Sequence, residues 1–368
     1  MKVLHIFAGL KFSGGEIMYV AAAKTFQKMG CDLYAVATHQ EKGEYAPFFE
    51  KAGFTVMHWP YENLSLFEKL RYWKNVYSYI RKNHIDVLHI HRHNMKCSMG
   101  FCAWLAGRRS VYTYHSVFYS PRITYPYHVM LRWISKYVFH QAQQSISDSV
   151  YENELVSFHN KTIKVYNWYN SSKFYPATEN ERREIRQELN IPENALVIVS
   201  VGGCSYIKRH EDIIEAMIKI KDIYHDSVYL HLGQGTKTEE EKVMAESVGV
   251  IRNVRFLGNQ EDVRKYLIAS DIYVMTSKQE GASLTTYEAM ACGIPAVLYN
   301  VPGLRDFNND TECVLLTDEK PDRLADAIIL LFKDKEKQNE LCNNAITLVK
   351  QKYDMVTNAE KIYHLYEN

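Results

Sequence analysis

Short apolar runs alternate with amphipathic stretches along the whole chain. In the first half, Val3–Phe7, Leu33–Thr38, Thr55–Trp59, Val87–His91, Val111–Tyr114 and Gln144–Ser147 read as strands, with helical stretches such as Ile17–Lys28 and Leu66–Asn83 between them. Several of these runs are apolar at nearly every position, which suits strands covered on both faces and so a parallel βα sheet. Beyond Val165 the polar, turn-rich segment NWYNSSKFYPATEN, with Pro176, breaks the rhythm and reads as a linker. The alternation then restarts at Val197–Val201, Val228–Leu232, Val254–Leu257, Ile272–Met275, Ala296–Tyr299 and Cys313–Leu316. The pattern predicts two Rossmann-like α/β domains, residues 1–168 and 169–353, followed by a final helix over 354–368.

A length of 368 residues exceeds what one hydrophobic core usually serves, and an apolar fraction of 46% is ample for two. No run approaches twenty apolar residues, and MKVLHIF leads straight into a strand pattern. Neither a membrane span nor a signal peptide is read, and a cytoplasmic location is expected. The seven cysteines, Cys31, Cys97, Cys102, Cys204, Cys292, Cys313 and Cys342, are scattered and form no C-x-x-C pair, so reduced core thiols are expected rather than disulfides or a zinc site. The net charge of +1 conceals an asymmetry: residues 1–170 hold 20 Lys or Arg against 11 Asp or Glu, and the remainder hold 24 against 32. A basic first half suits an anionic acceptor or an anionic membrane surface, or is simply a solvated face.

The chemistry concentrates in EGASLTTYEAMACGIPAV, Glu280–Val297, which follows the strand-like run DIYVMTS. Glu280 falls at the carboxyl end of a strand and Glu288 within the following helix, so both carboxylates can reach the edge where open α/β sheets bind ligands. Between them, the first helical N–H groups around Ser283, Leu284 and Thr285 lack intrahelical partners and suit a phosphate or a sugar hydroxyl. In the first βα loop, GLKFSGGE places Gly14 and Gly15 immediately before a helix, letting backbone approach a diphosphate. That loop lacks the G-x-G-x-x-G spacing of a dinucleotide site, which disfavours an oxidoreductase. VGGCSYIKRHEDIIEAM, Val201–Met217, begins at the first strand of the second domain and carries Gly203, Lys208 and Arg209 in the loop that follows it. VYTYHSVF places His115 at a strand end of the first domain.

Together these segments resemble the retaining family 4 glycosyltransferases of GT-B fold, and the resemblance runs over nearly the whole chain. It implies two Rossmann-like domains facing across a cleft, with the C-terminal helix crossing back to the first domain. By this resemblance Glu280 lies by the transferred sugar, Glu288 holds the ribose hydroxyls and Lys208 clamps the diphosphate. His115 matches the family's T-x-H histidine near the reacting sugar. Gly14 and Gly15 match its glycine loop, and LGQG with FLGNQEDV, containing Gly258 and Asn259, falls where the nucleobase is sandwiched. The chain departs from the pattern at Gly203, where the family has a clamp Arg, at Trp168 and Asn170 in the interdomain segment, and at Ser283, where Gly is frequent. The missing cation leaves Arg209, another residue or backbone amides to act beside Lys208.

His89, His91 and His93 alternate along one strand and so share a face, but DVLHIH resembles the family's paired His-x-His strand, and no metal is expected there. The segment Ser116–His140 interleaves Tyr, Trp and Phe with Arg and Lys, reading either as a membrane-interface element or as a buried helix with an aromatic acceptor loop. The resemblance implies transfer of a hexose-type sugar from a nucleotide diphosphate, with a preference for UDP, to a saccharide or lipid-linked saccharide hydroxyl. No cofactor, metal or nucleic acid is called for. The family precedent is a front-face reaction in which the departing phosphate takes the acceptor's proton, a covalent intermediate on a carboxylate being the alternative. A GT-B sugar-nucleotide epimerase and a non-catalytic sugar-nucleotide scaffold are the other two classes.

Overall fold

In the computed structural model, which describes residues 1–367, the chain forms two compact units: residues 1–168 with 355–367, and residues 169–354.

The first unit is built on a parallel sheet of β1 (Lys2–Phe7), β2 (Asp32–Ala37), β3 (Thr55–His58), β4 (Val87–Ile90), β5 (Arg109–Tyr114), β6 (Ala142–Ser145) and β7 (Ile163–Lys164). The strand order is β3-β2-β1-β4-β5-β6-β7. β1 pairs with both β2 and β4, so the winding direction reverses on either side of it. β6 lies two residues earlier than the run Gln144–Ser147 suggests, because Gln143, Gln144 and Ser145 are buried polar residues satisfied by side-chain hydrogen bonds rather than apolar ones. The two-residue β7 carries no apolar run and escapes pattern reading.

The helix Met355–Glu367 belongs to this first unit. Its Tyr366 is fully buried, with its hydroxyl 2.6 Å from His89 Nδ1, and its carbonyl accepts from Arg109. Trp168, where the family's segment has glycine, is a core residue of the same unit. Its indole Nε1 donates to the Met18 carbonyl at 3.2 Å, and its ring meets Tyr19 edge-on.

The second unit carries β8 (Val197–Val201), β9 (Val228–Leu232), β10 (Val254–Gly258), β11 (Ile272–Met275), β12 (Ala296–Tyr299) and β13 (Leu315–Thr317) in the parallel order β10-β9-β8-β11-β12-β13. β8 pairs with β9 on one side and β11 on the other, so the reversal falls between β8 and β11. Helices such as His210–Ile223, Leu284–Ala291 and Pro321–Lys333 flank this sheet, which is why β8 and β11 are apolar at nearly every position and buried throughout their centres. β13 begins at Leu315 rather than Cys313, since Cys313 and Val314 donate their N–H groups to the Asn308 side chain.

Candidate functional site

In a doubly wound sheet, two neighbouring loops diverge at the carboxyl ends of the strands that flank the reversal, leaving a crevice. In the second unit those loops follow β8 and β11, and they carry Lys208 and Glu280. Lys208 Nζ donates to Glu280 Oε1 at 2.6 Å, with both side chains largely shielded. Ser277 Oγ donates to the same oxygen at 2.6 Å. The end of β11 also fixes the lysine loop from below: Thr276 Oγ1 reaches the carbonyls of Lys208 and Arg209 at 2.9 and 2.8 Å, and the Lys278 N–H donates to the Ile207 carbonyl. Residues 72 apart in sequence are thereby held as one ion pair.

The helix Leu284–Ala291 points its amino end at the same edge, with Ser283 as its N-cap. Thr285 Oγ1 donates to the Val201 carbonyl at 3.2 Å and shares a hydrogen bond with the Tyr273 hydroxyl, tying the first helical turn to the end of β8. The N–H groups of Leu284 and Thr285 have no intrahelical acceptor and are available to an anion. One turn further on, Glu288 is half-buried, its carboxylate without a hydrogen-bond or ion-pair partner among the described residues. Burial pushes its pKa up to about 8, opposed by the charge of Lys173. A desolvated, unmatched carboxylate can accept hydrogen bonds from neutral donors such as vicinal hydroxyls.

Three glycine loops close the edge. Gly233, at φ 125°, passes so near the first loop that a Cβ there would lie 2.0 Å from the Gly202 carbonyl oxygen, and its N–H donates to Gly258 at 2.8 Å. Gly258 itself is at φ 65°, and Asn259 beside it is exposed. Gly203 is exposed too, and a Cβ on it would make only ordinary contact with the Gln234 carbonyl. Arg209, the nearest candidate for the missing clamp cation, is engaged within the second unit. It sits in the left-handed region as the N-cap of helix His210–Ile223, pairs with Asp212 at 2.6 Å and Glu319 at 2.8 Å, and lies over the Tyr299 ring.

In the first unit, Gly14 and Gly15 are the first residues of helix Gly14–Lys28, after the N-cap Ser13. A Cβ on Gly15 would lie 3.7 Å from His115 Cε1, so the loop and the end of β5 meet. His115 Nε2 is 3.0 Å from His91 Nδ1, and His91 Nε2 is 3.1 Å from His5 Nδ1, forming a chain of three imidazoles. Burial holds His115 down at about 4, so it is neutral at physiological pH. His89 shares a face with His91, whereas His93 turns away on a short 3-10 segment toward Tyr112 and Phe118.

Sequence reasoning did not find Ser277, Thr276 or Gly303. The hydroxyls sit at the end of an apolar run with nothing to mark them. Gly303, at φ 83°, follows Pro302, whose carbonyl accepts the Glu280 N–H, and a Cβ on Gly303 would lie 2.1 Å from the Glu280 carbonyl oxygen. The Pro-Gly dipeptide was the available signal.

Two family models match this chain: that described as Glycosyltransferase Family 4 over residues 12–170, and that described as Glycosyl transferases group 1 over residues 181–348. The chain belongs to the GT-B glycosyltransferases of family 4 type. Among curated relatives of this family, it is 26% identical over 217 residues to the N-acetyl-alpha-D-glucosaminyl L-malate synthase of Bacillus anthracis, covering 58% of this chain and 55% of that protein. It is 23% identical over 303 residues to the putative glycosyltransferase EpsD of Bacillus subtilis, covering 78% and 76%. The chain thus spans little more than half the length of the first of these. Its fold matches Anabaena Alr3699/HepE, solved in complex with UDP and glucose, at a TM-score of 0.83 and 19% identity over the full length of both chains. A glycosyltransferase from Rickettsia africae matches at a TM-score of 0.85 and 17% identity, covering 100% of this chain and 97% of that one.

Proposed function

We propose that this glycosyltransferase is a retaining enzyme that moves a hexose-type sugar from a nucleotide diphosphate, a UDP-sugar foremost, to a hydroxyl of a saccharide or lipid-linked saccharide. The meeting of Lys208 and Glu280 at the strand reversal of the second unit carries this reading. An arriving diphosphate competes with Glu280 for the ammonium group. Lys208 then neutralises charge that grows on the leaving diphosphate as the sugar–phosphate bond breaks, and Glu280, released, accepts a hydroxyl of the sugar. The amides of Leu284 and Thr285 and the loops of Gly202, Gly203 and Gly258 supply further hydrogen-bond donors, and Glu288 receives the ribose hydroxyls. Gly14, Gly15 and neutral His115 are assigned to the donor and to the transferred sugar by the family pattern. In the retaining step the departing phosphate oxygen accepts the acceptor's proton while the new glycosidic bond forms on the same face.

The preference for UDP is supported by the neighbour solved with UDP and glucose. A thermal-shift panel of UDP, GDP, ADP and their sugars tests it, because a ligand that binds only the native state raises stability by mass action. The largest shift is expected with a uridine nucleotide, and no shift with any nucleotide defeats the reading. Conversion of a nucleotide sugar in the absence of acceptor would instead identify an epimerase. The reaction itself is proposed to need no metal, since Lys208 and helix amides face the diphosphate. Loss of activity on EDTA treatment, restored by Mg²⁺ or Mn²⁺, would contradict this.

Peripheral contact with an anionic membrane is also proposed. No described helix is long and apolar enough to cross a membrane. Residues 119–138, however, expose Tyr119, Ile123, Tyr127, Met130, Trp133 and Tyr137, with Ile123 at 94%. Of the basic residues in this segment, Arg122 is exposed and Lys136 half-exposed, whereas Arg132 is buried in a bidentate pair with Glu154 at 2.7 Å.

A further inference from the structure

Behind the Lys208 loop, in the core of the second unit, four metal-ligating side chains from four separate elements converge. Cys204 comes from the loop after β8, His210 is the first residue of helix His210–Ile223, His231 lies on β9, and Glu241 lies on helix Thr238–Ser247. Each is at most 2% exposed, and one donor atom from each falls within 4.8 Å of all the others. His231 Nε2 lies 3.1 Å from His210 Nδ1, 3.0 Å from Glu241 Oε2 and 3.8 Å from Cys204 Sγ, and His210 Nδ1 is 3.5 Å from Glu241 Oε1.

Hydrogen bonding alone fits this arrangement poorly. The two ring nitrogens face each other and one carboxylate: if both carry hydrogens, these collide across 3.1 Å, and a single hydrogen on His231 Nε2 has to be shared between His210 Nδ1 and Glu241 Oε2. Among the described residues, no hydrogen bond of ordinary geometry reaches Glu241 Oε1, and the carboxylate's ion-pair partners are the two imidazoles. A dication at the centre turns all four atoms into ligands and offsets the buried negative charge. Bond lengths of about 2.0–2.3 Å to zinc give tetrahedral edges of about 3.3–3.8 Å, close to the spacings seen here.

We propose that Cys204, His210, His231 and Glu241 form a structural transition-metal site, with zinc as the ion that one thiolate, two imidazoles and a carboxylate select. The four ligands close the coordination sphere, leaving no position for substrate. As the sulfur–metal bond forms, the Cys204 thiol gives its proton to solvent and breaks its 3.6 Å contact with the Gly233 carbonyl. The ion would tie the loop bearing Gly203 and Lys208 to β9 and to helix Thr238–Ser247, holding it from beneath. The site stands whether or not the donor assignment above is right. Its spacing, C-x5-H-x20-H-x9-E, matches no short zinc signature, which is why the sequence alone does not disclose it.

The test is elemental analysis of the full chain, purified without a histidine tag or chelator, followed by exchange with Co²⁺. About one zinc per chain is expected, and the cobalt protein should show a thiolate-to-metal band in the near ultraviolet with tetrahedral visible bands. In Cys204→Ser the thiolate band should vanish, and in the Cys204→Ala His231→Ala double variant the metal itself should be lost. If those variants do not fold, metal content and the cobalt spectrum of the wild-type chain decide the matter. Less than about one metal ion per ten chains, with no cobalt bands, would show a hydrogen-bonded core cluster and overturn the proposal.

Discussion

Glu288 combines a raised pKa with a carboxylate that has no hydrogen-bond or ion-pair partner among the described residues, which affects stability as well as binding. Its carboxyl ionises in the ordinary range when the chain is unfolded but only at about 8 when folded, so the folded state holds an extra proton between those values. Stability therefore falls as pH rises through that window and is level above it. Glu288→Gln should be close to wild type at pH 4, below both values, and more stable at pH 8.5, by roughly 5 °C or more in melting temperature. Equal melting temperatures at both pH values would place Glu288 in water. Gly203 invites the opposite experiment, since the position is open and backbone strain does not demand glycine. Gly203→Arg, restoring the family's second cation, should tighten nucleoside diphosphate binding by about 1–2 kcal/mol, the scale of a charged hydrogen bond. An unchanged dissociation constant would mean that the loop does not face the phosphates. At this scale the sequence was informative about which residues carry charge and where the chain departs from its family. It did not disclose that Arg209 is occupied, because its partners Asp212 and Glu319 meet it only through helix packing and a distant loop.

At the scale of elements, glycines set the loop positions by allowing backbones to touch. Gly303 is the clearest case, being left-handed and pressed against the Glu280 carbonyl. Gly303→Ala should displace the Glu280 loop and lower catalytic turnover by at least tenfold while nucleotide binding through Glu288 is retained, because the two residues sit on different elements. Parallel loss of binding and turnover would show a general unfolding of the edge instead. Strands and helices were legible because doubly covered strands are apolar at nearly every position, and the errors fall where that signal fails. β6 is lined by hydrogen-bonded polar residues, and β7 is too short to show a pattern. The Lys208–Glu280 pair was not legible as a pair. Each residue could be assigned to a strand end, but only the strand order brings β8 and β11 together.

For the whole molecule, the excess of 20 basic over 11 acidic residues in the first 170 and the exposed aromatic segment 119–138 lead to a measurable association. The protein should float with anionic liposomes at low salt and be released as salt rises, since screening at 0.1 M acts within about 10 Å. Failure to float at low salt would remove membrane docking and favour a soluble acceptor.

In the proposed reaction the second unit holds the sugar nucleotide through Glu288, and Lys208 stabilises the diphosphate that leaves as the sugar–phosphate bond breaks. Steady-state transfer kinetics of Lys208→Ala and Glu288→Ala, with the donor that gives the largest thermal shift, test it most directly. Lys208 acts on charge that develops in the transition state, so its removal should lower kcat by roughly 100-fold or more with a smaller change in donor KM. Glu288 acts on the bound nucleotide, so its removal should weaken donor binding by about 1.5–3 kcal/mol with kcat less affected. Near wild-type turnover in a folded Lys208→Ala protein, together with unchanged nucleotide affinity in Glu288→Ala, would show that neither residue acts on the donor.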